Sequence, residues 1–340
     1  MTTPVLSTST APPGLDAAEL SFTKTIDRGL VHRSSVSEVF VTDLHQAGEL
    51  AFAAAAQLPL THSYYNDHVA RPAMVDPLLI VECARQAGIY GAHLSGVPMR
   101  TAMLVNSFTL RLDDPTELIM SRRPVELRID SVMAATRVRG GVLRQGHAEQ
   151  RFTIGGRPVG SQVMEIQMLS HHEHDALRHL QRGNPAPSTA DMTGGPYPNS
   201  VAPGLVGRVH PMNVVLADVR YGADEVRAVM APWYENRALF DHDYDHLPAM
   251  TLTEGARQLA LLSVRESGAT EAAGFPPVVG IAATFHRFAE LDAPVHATTA
   301  TEPAAEAGAL TRTVVFTQDG ITIATISISL AMPASIGERR

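Results

Sequence analysis

At 340 residues the chain is long for one compact unit and favours about two domains. Apolar residues make up 45% and charged residues 18%, the balance of a globular protein with material for two cores. The formal net charge of −8 offers phosphate no overall basic field, which excludes nucleic acid as a main partner. Cys83 is the sole cysteine, so an internal disulfide is impossible and the chain suits a reducing cytoplasm.

Residues 1–27 read as a mobile N-terminal tail. Met1 to Leu20 is rich in Thr, Ser, Pro and Ala, with neither the basic nor the apolar stretch of a signal peptide. No run of eighteen apolar residues suggests a membrane span. A first strand is expected over Val36 to Leu44, then a loop carrying His and Asp, then a helix from Pro77 to Leu94. Leu78, Leu79, Val81, Ala84, Ala87 and Ile89 make that helix apolar nearly all round, the mark of burial on most sides. Period-two patterning then predicts strands at Ala102 to Leu112, Val125 to Met133, Val142 to Ile154 and Ser161 to Met168. His171 to Val206 is rich in Pro, Gly, Ser and His and reads as a linker, with a short helix over Glu173 to Gln181.

The same order then recurs. A strand is expected at Val214 to Tyr221 and an apolar helix at Met250 to Ser267, ended by Gly268. Strands follow at Val278 to Phe285, His296 to Ala300, Ala309 to Thr317 and Thr322 to Leu330. Glu82-Cys-Ala-Arg-Gln86 matches Glu254-Gly-Ala-Arg-Gln258 at an offset of 254 − 82 = 172. Four colinear matches support a duplication. Val31-His32 pairs with Val209-His210, and Asp67-His68 with Asp241-His242 or Asp245-His246. Ser107-Phe108 pairs with Thr284-Phe285, and Phe152-Thr153 with Phe316-Thr317. The expected domains are therefore residues 28–170 and 207–335, joined by the linker 171–206. One strand, one buried helix and then antiparallel strands is an α+β order, a sheet wrapped around a central helix. Twice over, it is a tandem double hotdog.

A carboxylate inside an apolar helix needs a partner or a task, because burying a charge is costly. Glu82 and Glu254 are such carboxylates, and Arg85 and Arg257 lie three residues on, on the same helix face. The plain reading is an intrahelical ion pair. The chemical one is a site at the helix mouth, where unpaired N–H groups can hold an oxyanion and a carboxylate with an imidazole can move protons. His242 and His246, with Asp241, Asp243 and Asp245, look like a metal cluster. Pro248 puts them in a loop, however, where the i, i+4 spacing does not serve zinc, and no metal is expected. His171-His-Glu-His174 reads as a solvated turn. Cys83 reads as packing, since Gly255 stands at its place in the second copy.

His68 precedes Glu82 by fourteen residues, and this spacing resembles that of hotdog β-hydroxyacyl-carrier-protein dehydratases, with Asp76-Pro77 where that family usually has Pro-Gly. The broader likeness rests on Leu30-Val-His-Arg33, Glu38-Val-Phe-Val-Thr-Asp43, Asp76-Pro-Leu-Leu79, Glu82-Cys-Ala-Arg-Gln-Ala-Gly88, Phe240-Asp-His242 and Glu254-Gly-Ala-Arg-Gln258. In this ordered set the chain resembles the A-factor biosynthesis (AfsA-type) γ-butyrolactone and furan signal synthases, from about Leu30 to Leu330. The resemblance implies transfer of a β-ketoacyl group from an acyl carrier protein to the hydroxyl of dihydroxyacetone phosphate. It implies no metal or redox cofactor. Glu82, Glu254, His68 and His242 are then the candidate catalytic residues. Arg85, Arg257, His246, Gln86 and Gln258 are the candidates for holding substrate, with an Arg fork suited to phosphate. By analogy with the dehydratases the pairs are expected to cross between copies, His68 with Glu254 and His242 or His246 with Glu82, and the Glu254 pocket is favoured. Two fused copies can supply the usual pseudo-dimer, and exposed sheet edges leave room for a homodimer. The competing readings are a hotdog dehydratase or thioesterase and a non-catalytic acyl-binding module.

Overall fold

The structure is a computed structural model that describes residues 15, 18–267, 275–301, 304–306 and 309–331. Most of the expected tail, the helix-ending Gly268 and residues 332–335 lie outside the described residues. Among those described, thirteen strands form one antiparallel sheet and two long helices fill its concave face.

The first copy opens with a hairpin, β1 (Val41–Gly48) and β2 (Ala51–Leu58). It continues with α1 (Pro77–Leu94), β3 (Ala102–Leu112), β4 (Val125–Arg139), β5 (Val142–Ile154) and β6 (Arg157–Leu169). After α2 (His171–Arg182) the second copy repeats the plan with β7 (Leu216–Tyr221), β8 (Glu225–Met230), α3 (Ala249–Glu266), β9 (Val278–Phe285) and β10 (His296–Ala300). It closes with β11 (Ala304–Glu306), β12 (Ala309–Gln318) and β13 (Ile321–Ala331). The strands run in the order β1-β2-β4-β5-β6-β3-β9-β13-β12-β10-β8-β7, with β11 beside β12. The copies meet where β3 pairs with β9, Ser107 opposite Thr284 and Arg111 opposite Gly280. This is the tandem hotdog.

Two expectations change. Each copy places two strands before its helix, not one; β2 is the Ala-rich run Ala51–Leu58. Alanine has little preference for strands, and a strand buried at almost every position shows no alternation to read. The expected tail also ends early. Ala18 to Ile26 is fastened to the hairpin edge: the Thr42 hydroxyl donates to the Ser21 carbonyl at 2.8 Å, Gln57 Nε2 to the Phe22 carbonyl, and Ile26 N–H to the Val41 carbonyl.

Both helices are buried along most of their length. In α1 the Asp76 side chain caps the first turn by accepting from Leu78 N–H at 2.9 Å, with Pro77 at the first helical position. Gly91 allows the close approach of the sheet, because a Cβ there would lie 2.8 Å from the Phe52 ring. The helix expected at Glu173 to Gln181 spans His171–Arg182, so the four residues His171 to His174 form its capped first turn and not a free turn. Ser170 and Glu173 close a capping box there. Arg178, Gln181 and Arg182 then bind Glu290, Asp245 and Asp292 of the second copy.

Candidate active site

Each central helix carries a carboxylate with no solvent exposure, ringed by the same kinds of partner. Glu82 accepts from Arg33 Nε at 3.1 Å, from Arg85 Nε and Nη2 at 2.9 Å each, and from Gln86 Nε2 at 2.7 Å. Glu254 accepts from Arg208 Nε at 3.0 Å, Arg257 Nη2 at 2.5 Å, Gln258 Nε2 at 2.6 Å and the Tyr64 hydroxyl at 2.9 Å. Burial alone would raise the Glu82 carboxyl; Arg33 and then Arg85 outweigh it and hold the group at about 2. It is ionised at neutral pH and a weak base.

Gln86 and Gln258 are fully buried and their amides are used inside the protein. Gln86 accepts from Phe40 N–H and donates to the Glu38 carbonyl, and Gln258 does the same with Val215 and Asn213. They fasten each helix to the start of its sheet and have no amide hydrogen free in that bonding for a substrate.

This bonding also corrects the repeat register. Arg33 matches Arg208, Glu38 matches Asn213 and Phe40 matches Val215, an offset of 208 − 33 = 175. Val31-His32 therefore corresponds to Val206-Gly207, not to Val209-His210. His32 and Gly207 both close a 3-10 turn in the left-handed conformation, which agrees. Arg208 was invisible to the match on Val-His and is the main residue that reading missed; the Arg of Leu30-Val-His-Arg33, moved into the other register, would have found it.

The two copies complete each other's sites. Asp67 accepts from Val209 and His210 N–H, and Asp241 accepts from Ser34 and Ser35 N–H at 2.7 and 3.0 Å. Each aspartate thus clasps the backbone just after the other copy's arginine. Tyr64 of the first copy reaches Glu254. Burial first, and Glu254 second, raise the Tyr64 phenol well above its ordinary range, so it stays a proton donor. Asp241 of the second copy lies 3.9 Å from Arg33 and 3.4 Å from His242 Nδ1. The crossing is therefore present. The described contacts of Glu254 nevertheless include Tyr64 and not His68, and His242 touches Asp241 and not Glu82. His246 is held elsewhere: it bonds Asp245 at 2.5 Å, meets the Phe288 ring edge to face, and joins the Arg178–Glu290 network through Asp245. Cys83 is buried, and burial raises its thiol well above the ordinary range, which makes it a packing residue.

The copies differ at one decisive position. Asp76, at the head of α1, accepts from Arg257 Nη1 at 2.7 Å and lies 3.8 Å from Arg208 Nη2. Burial would raise its carboxyl, but Arg257 and Arg208 pull it below the ordinary value. Pro248 holds the corresponding place before α3 and offers no side-chain cap. The first turn of α1 has no free N–H to hold an oxyanion at its leading positions: Pro77 lacks one, and Leu78 and Leu79 bond Asp76.

A cavity of about 100 Å³ opens beside Asp76. At roughly 10–15 Å³ per water-sized sphere it has room for a small polar molecule. Arg208, Arg257, Asp76 and His68 line it, with Val75, Leu118, Val206, Leu261, Phe275 and Val278 as its apolar wall. Three buried polar atoms on this lining have no hydrogen-bond partner among the described residues: His68 Nδ1, Asp76 Oδ2 and Arg208 Nη2. Arg208 Nη2 is 3.0 Å from Glu254 Oε1 but lacks hydrogen-bond alignment. His68 Nε2 lies 2.8 Å from the Met74 carbonyl and must donate to it, which leaves Nδ1 a bare lone pair in the neutral ring. Burial lowers the His68 imidazole, against Asp76 and the Met74 carbonyl and with help from Arg257 and Arg208, so the ring is neutral at pH 7. Among the described residues no group of three or more His, Cys, Asp and Glu is placed to hold a metal ion, and no helix is long and apolar enough to cross a membrane.

The model of the A-factor biosynthesis hotdog domain matches residues 15–170 and 191–333. The chain belongs to that family. A relative from Streptomyces virginiae, a 2-oxo-3-(phosphooxy)propyl 3-oxoalkanoate synthase, is 30% identical over 287 residues, 84% of this chain and 90% of its own. A protein of the same name from Streptomyces coelicolor is 30% identical over 301 residues, 87% and 88% of the two chains. Among solved structures, the pyran synthase domain from module nine of the sorangicin pathway superposes with a TM-score of 0.50 at 14% identity, covering 86% of this chain and 98% of that one. That likeness concerns the fold alone.

The pairing of Glu82 has a measurable consequence. A carboxyl held at about 2 adds stability that is fully present above its unfolded value near 4.5 and is lost as pH falls from there towards 2. Urea unfolding at pH 5 and pH 3 should therefore show a smaller loss for Glu82→Gln than for the parent. Equal losses in the two proteins would mean that Glu82 is not held down by Arg33 and Arg85.

Proposed function

We propose that this chain transfers a 3-oxoacyl group from an acyl-carrier-protein thioester to a hydroxyl of dihydroxyacetone phosphate. The observation that carries the reading is the set of three unpartnered polar atoms around one cavity, a base lone pair, an acceptor and a cationic donor. The relatives' name states the matching product, a phosphooxypropyl ester of a 3-oxoalkanoate.

In this reading His68 Nδ1 takes the proton of the acceptor hydroxyl. The oxygen attacks the thioester carbonyl, and the C–O bond forms as the carbonyl becomes an oxyanion. Arg208 Nη2 donates to that oxyanion inside a site of low polarisability, where a preorganised donor is worth about 10²–10³-fold. Collapse breaks the C–S bond, and the leaving thiolate receives the proton from His68. Asp76 pairs with Arg257 and lies beside Arg208 Nη2, which keeps both guanidinium groups at the cavity. Glu254 is the counter-ion that orients Arg208 and Arg257, since its own oxygens are occupied by donors. The apolar wall takes the acyl chain. Both copies contribute to the one cavity, so a single chain in a reducing cytoplasm suffices for the reaction.

Free thiol release, followed with a thiol reagent, tests this directly. With a 3-oxoacyl thioester as donor, release is expected to rise at least tenfold when dihydroxyacetone phosphate is added. Release at the same rate without the acceptor would instead mean hydrolysis.

A further inference from the structure

The cavity at Asp76 has a polar end and an apolar end. Asp76, His68, Arg208 and Arg257 stand at the first. Leu261 lies one turn beyond Arg257 on α3, about 6 Å further along the axis, and with Phe275 it lines the second. Pro276 and Pro277 follow Phe275 on the same lining, and their fixed φ stiffens the segment that carries the ring. Gly207 lines this cavity as well, directly before Arg208.

The backbone of Gly207 fixes where a side chain would go. Its carbonyl accepts from Val69 N–H at 3.0 Å, which ties it to the loop carrying His68. Its own N–H bonds the Pro203 carbonyl as it closes the 3-10 turn Pro203–Val206. A Cβ built on Gly207 would have the Phe275 ring at 3.6 Å and Leu261 Cδ1 at 3.7 Å as its nearest neighbours. These are ordinary van der Waals distances. A methyl group therefore fits, and any atom beyond it enters the space between Phe275 and Leu261.

A glycine that closes a helical turn in the left-handed conformation ordinarily needs no further reason. Here the conformation does not demand it. The matching turn of the first copy closes with His32 at φ 54°, ψ 46°, against φ 75°, ψ 14° at Gly207, so this turn accepts a side chain. The His32 ring is packed on His93, with 2.9 Å between their Nε2 atoms. Gly207 instead borders open space, bounded by Leu261 and Phe275.

We propose that Gly207 sets the length of the acyl chain that the cavity accepts. Its missing side chain leaves the apolar end free for the carbons beyond the 3-oxo group, and a longer residue at this position occupies that space. The inference rests on the reading that the apolar wall takes the acyl chain, and it identifies the position at which that wall is adjustable. Each methylene buried there strengthens binding about fourfold until the space is filled.

The test is calorimetric titration of the full chain with ketone analogues of 3-oxoacyl N-acetylcysteamine thioesters, over a series of chain lengths. A methylene between sulfur and carbonyl in these probes prevents acyl transfer. The parent should bind about fourfold more tightly per added methylene, up to a plateau. Asparagine tolerates the left-handed conformation, and Gly207→Asn should reach its plateau about two methylenes earlier. Its longest probe then binds about sixteenfold more weakly than in the parent, and its shortest changes less than about threefold. Gly207→Ala, whose methyl group only touches Phe275 and Leu261, should fall between the two. Equal length profiles in the parent and Gly207→Asn, uniform weakening at every length in both variants, or a parent affinity that does not depend on length would overturn the proposal. A parent that shows the plateau but forms no product with the acceptor would remove the acyl-transfer reading and leave the length limit standing.

Discussion

Arg208→Ala should destabilise the chain by about 3–5 kcal/mol, the usual cost of removing one member of a buried ion pair. Arg208 is 2% exposed and holds three parts of the molecule at once. It bonds Glu254 on α3, it donates from Nη1 to the Tyr64 and Asp67 carbonyls at 2.7 and 2.9 Å, and its guanidinium lies 4.4 Å above the Tyr64 ring. Its loss leaves Glu254 with a single cation, Arg257, and that cation is shared with Asp76. Two backbone carbonyls of the first copy lose their donor at the same time. Urea unfolding reads the effect. A loss under about 1 kcal/mol would show that the cluster contributes little to joining the two copies.

His68→Gln should lower acceptor-dependent turnover by about 10²–10⁴-fold, the size of a general-base contribution, with little change in stability. Among the described residues the side chain makes one hydrogen bond, to the Met74 carbonyl, and an amide nitrogen can replace that donor. It cannot replace the lone pair on Nδ1. The sign of the pH effect follows from the lowered imidazole: the base is free above its depressed value and is lost by protonation below it. The parent should lose kcat/KM on the acid side, at a midpoint below 6.5, and the variant should lack that limb. Turnover within about threefold of the parent would remove His68 from the chemistry.

The two helices were plain in the sequence because a run that is apolar nearly all round, as at Pro77 to Leu94 and Met250 to Ser267, has few other ways to fold. The carboxylates stood out for the same reason, as charges where none is tolerated alone. β2 was hidden because Ala51 to Ala56 carries neither alternation nor β-branched side chains. The fastened segment from Ala18 to Ile26 looked like a tail because its contacts are backbone and hydroxyl bonds that leave no pattern.

At the site, the paired acid, arginine and glutamine of each helix were legible as a repeated phrase, but not their partners. Tyr64 meets Glu254 across 190 positions of chain. Arg208 was masked by a match three residues out of register. The asymmetry between the sites rests on a single exchange, Asp76 against Pro248. Its meaning appears only when both copies are placed around one seam. The analogy with the dehydratases also suggested that His68 would work with Glu254; instead Tyr64 takes the carboxylate, and His68 faces the cavity with its lone pair free.

The central claim is best tested by the mass of what the purified chain makes from a 3-oxoacyl thioester and dihydroxyacetone phosphate. The account predicts a product that carries both the acyl group and the phosphate, as the open ester or the butenolide formed from it by loss of water, and that disappears in His68→Gln. Free 3-oxo acid as the sole acyl product, with the acceptor recovered unchanged, would contradict it.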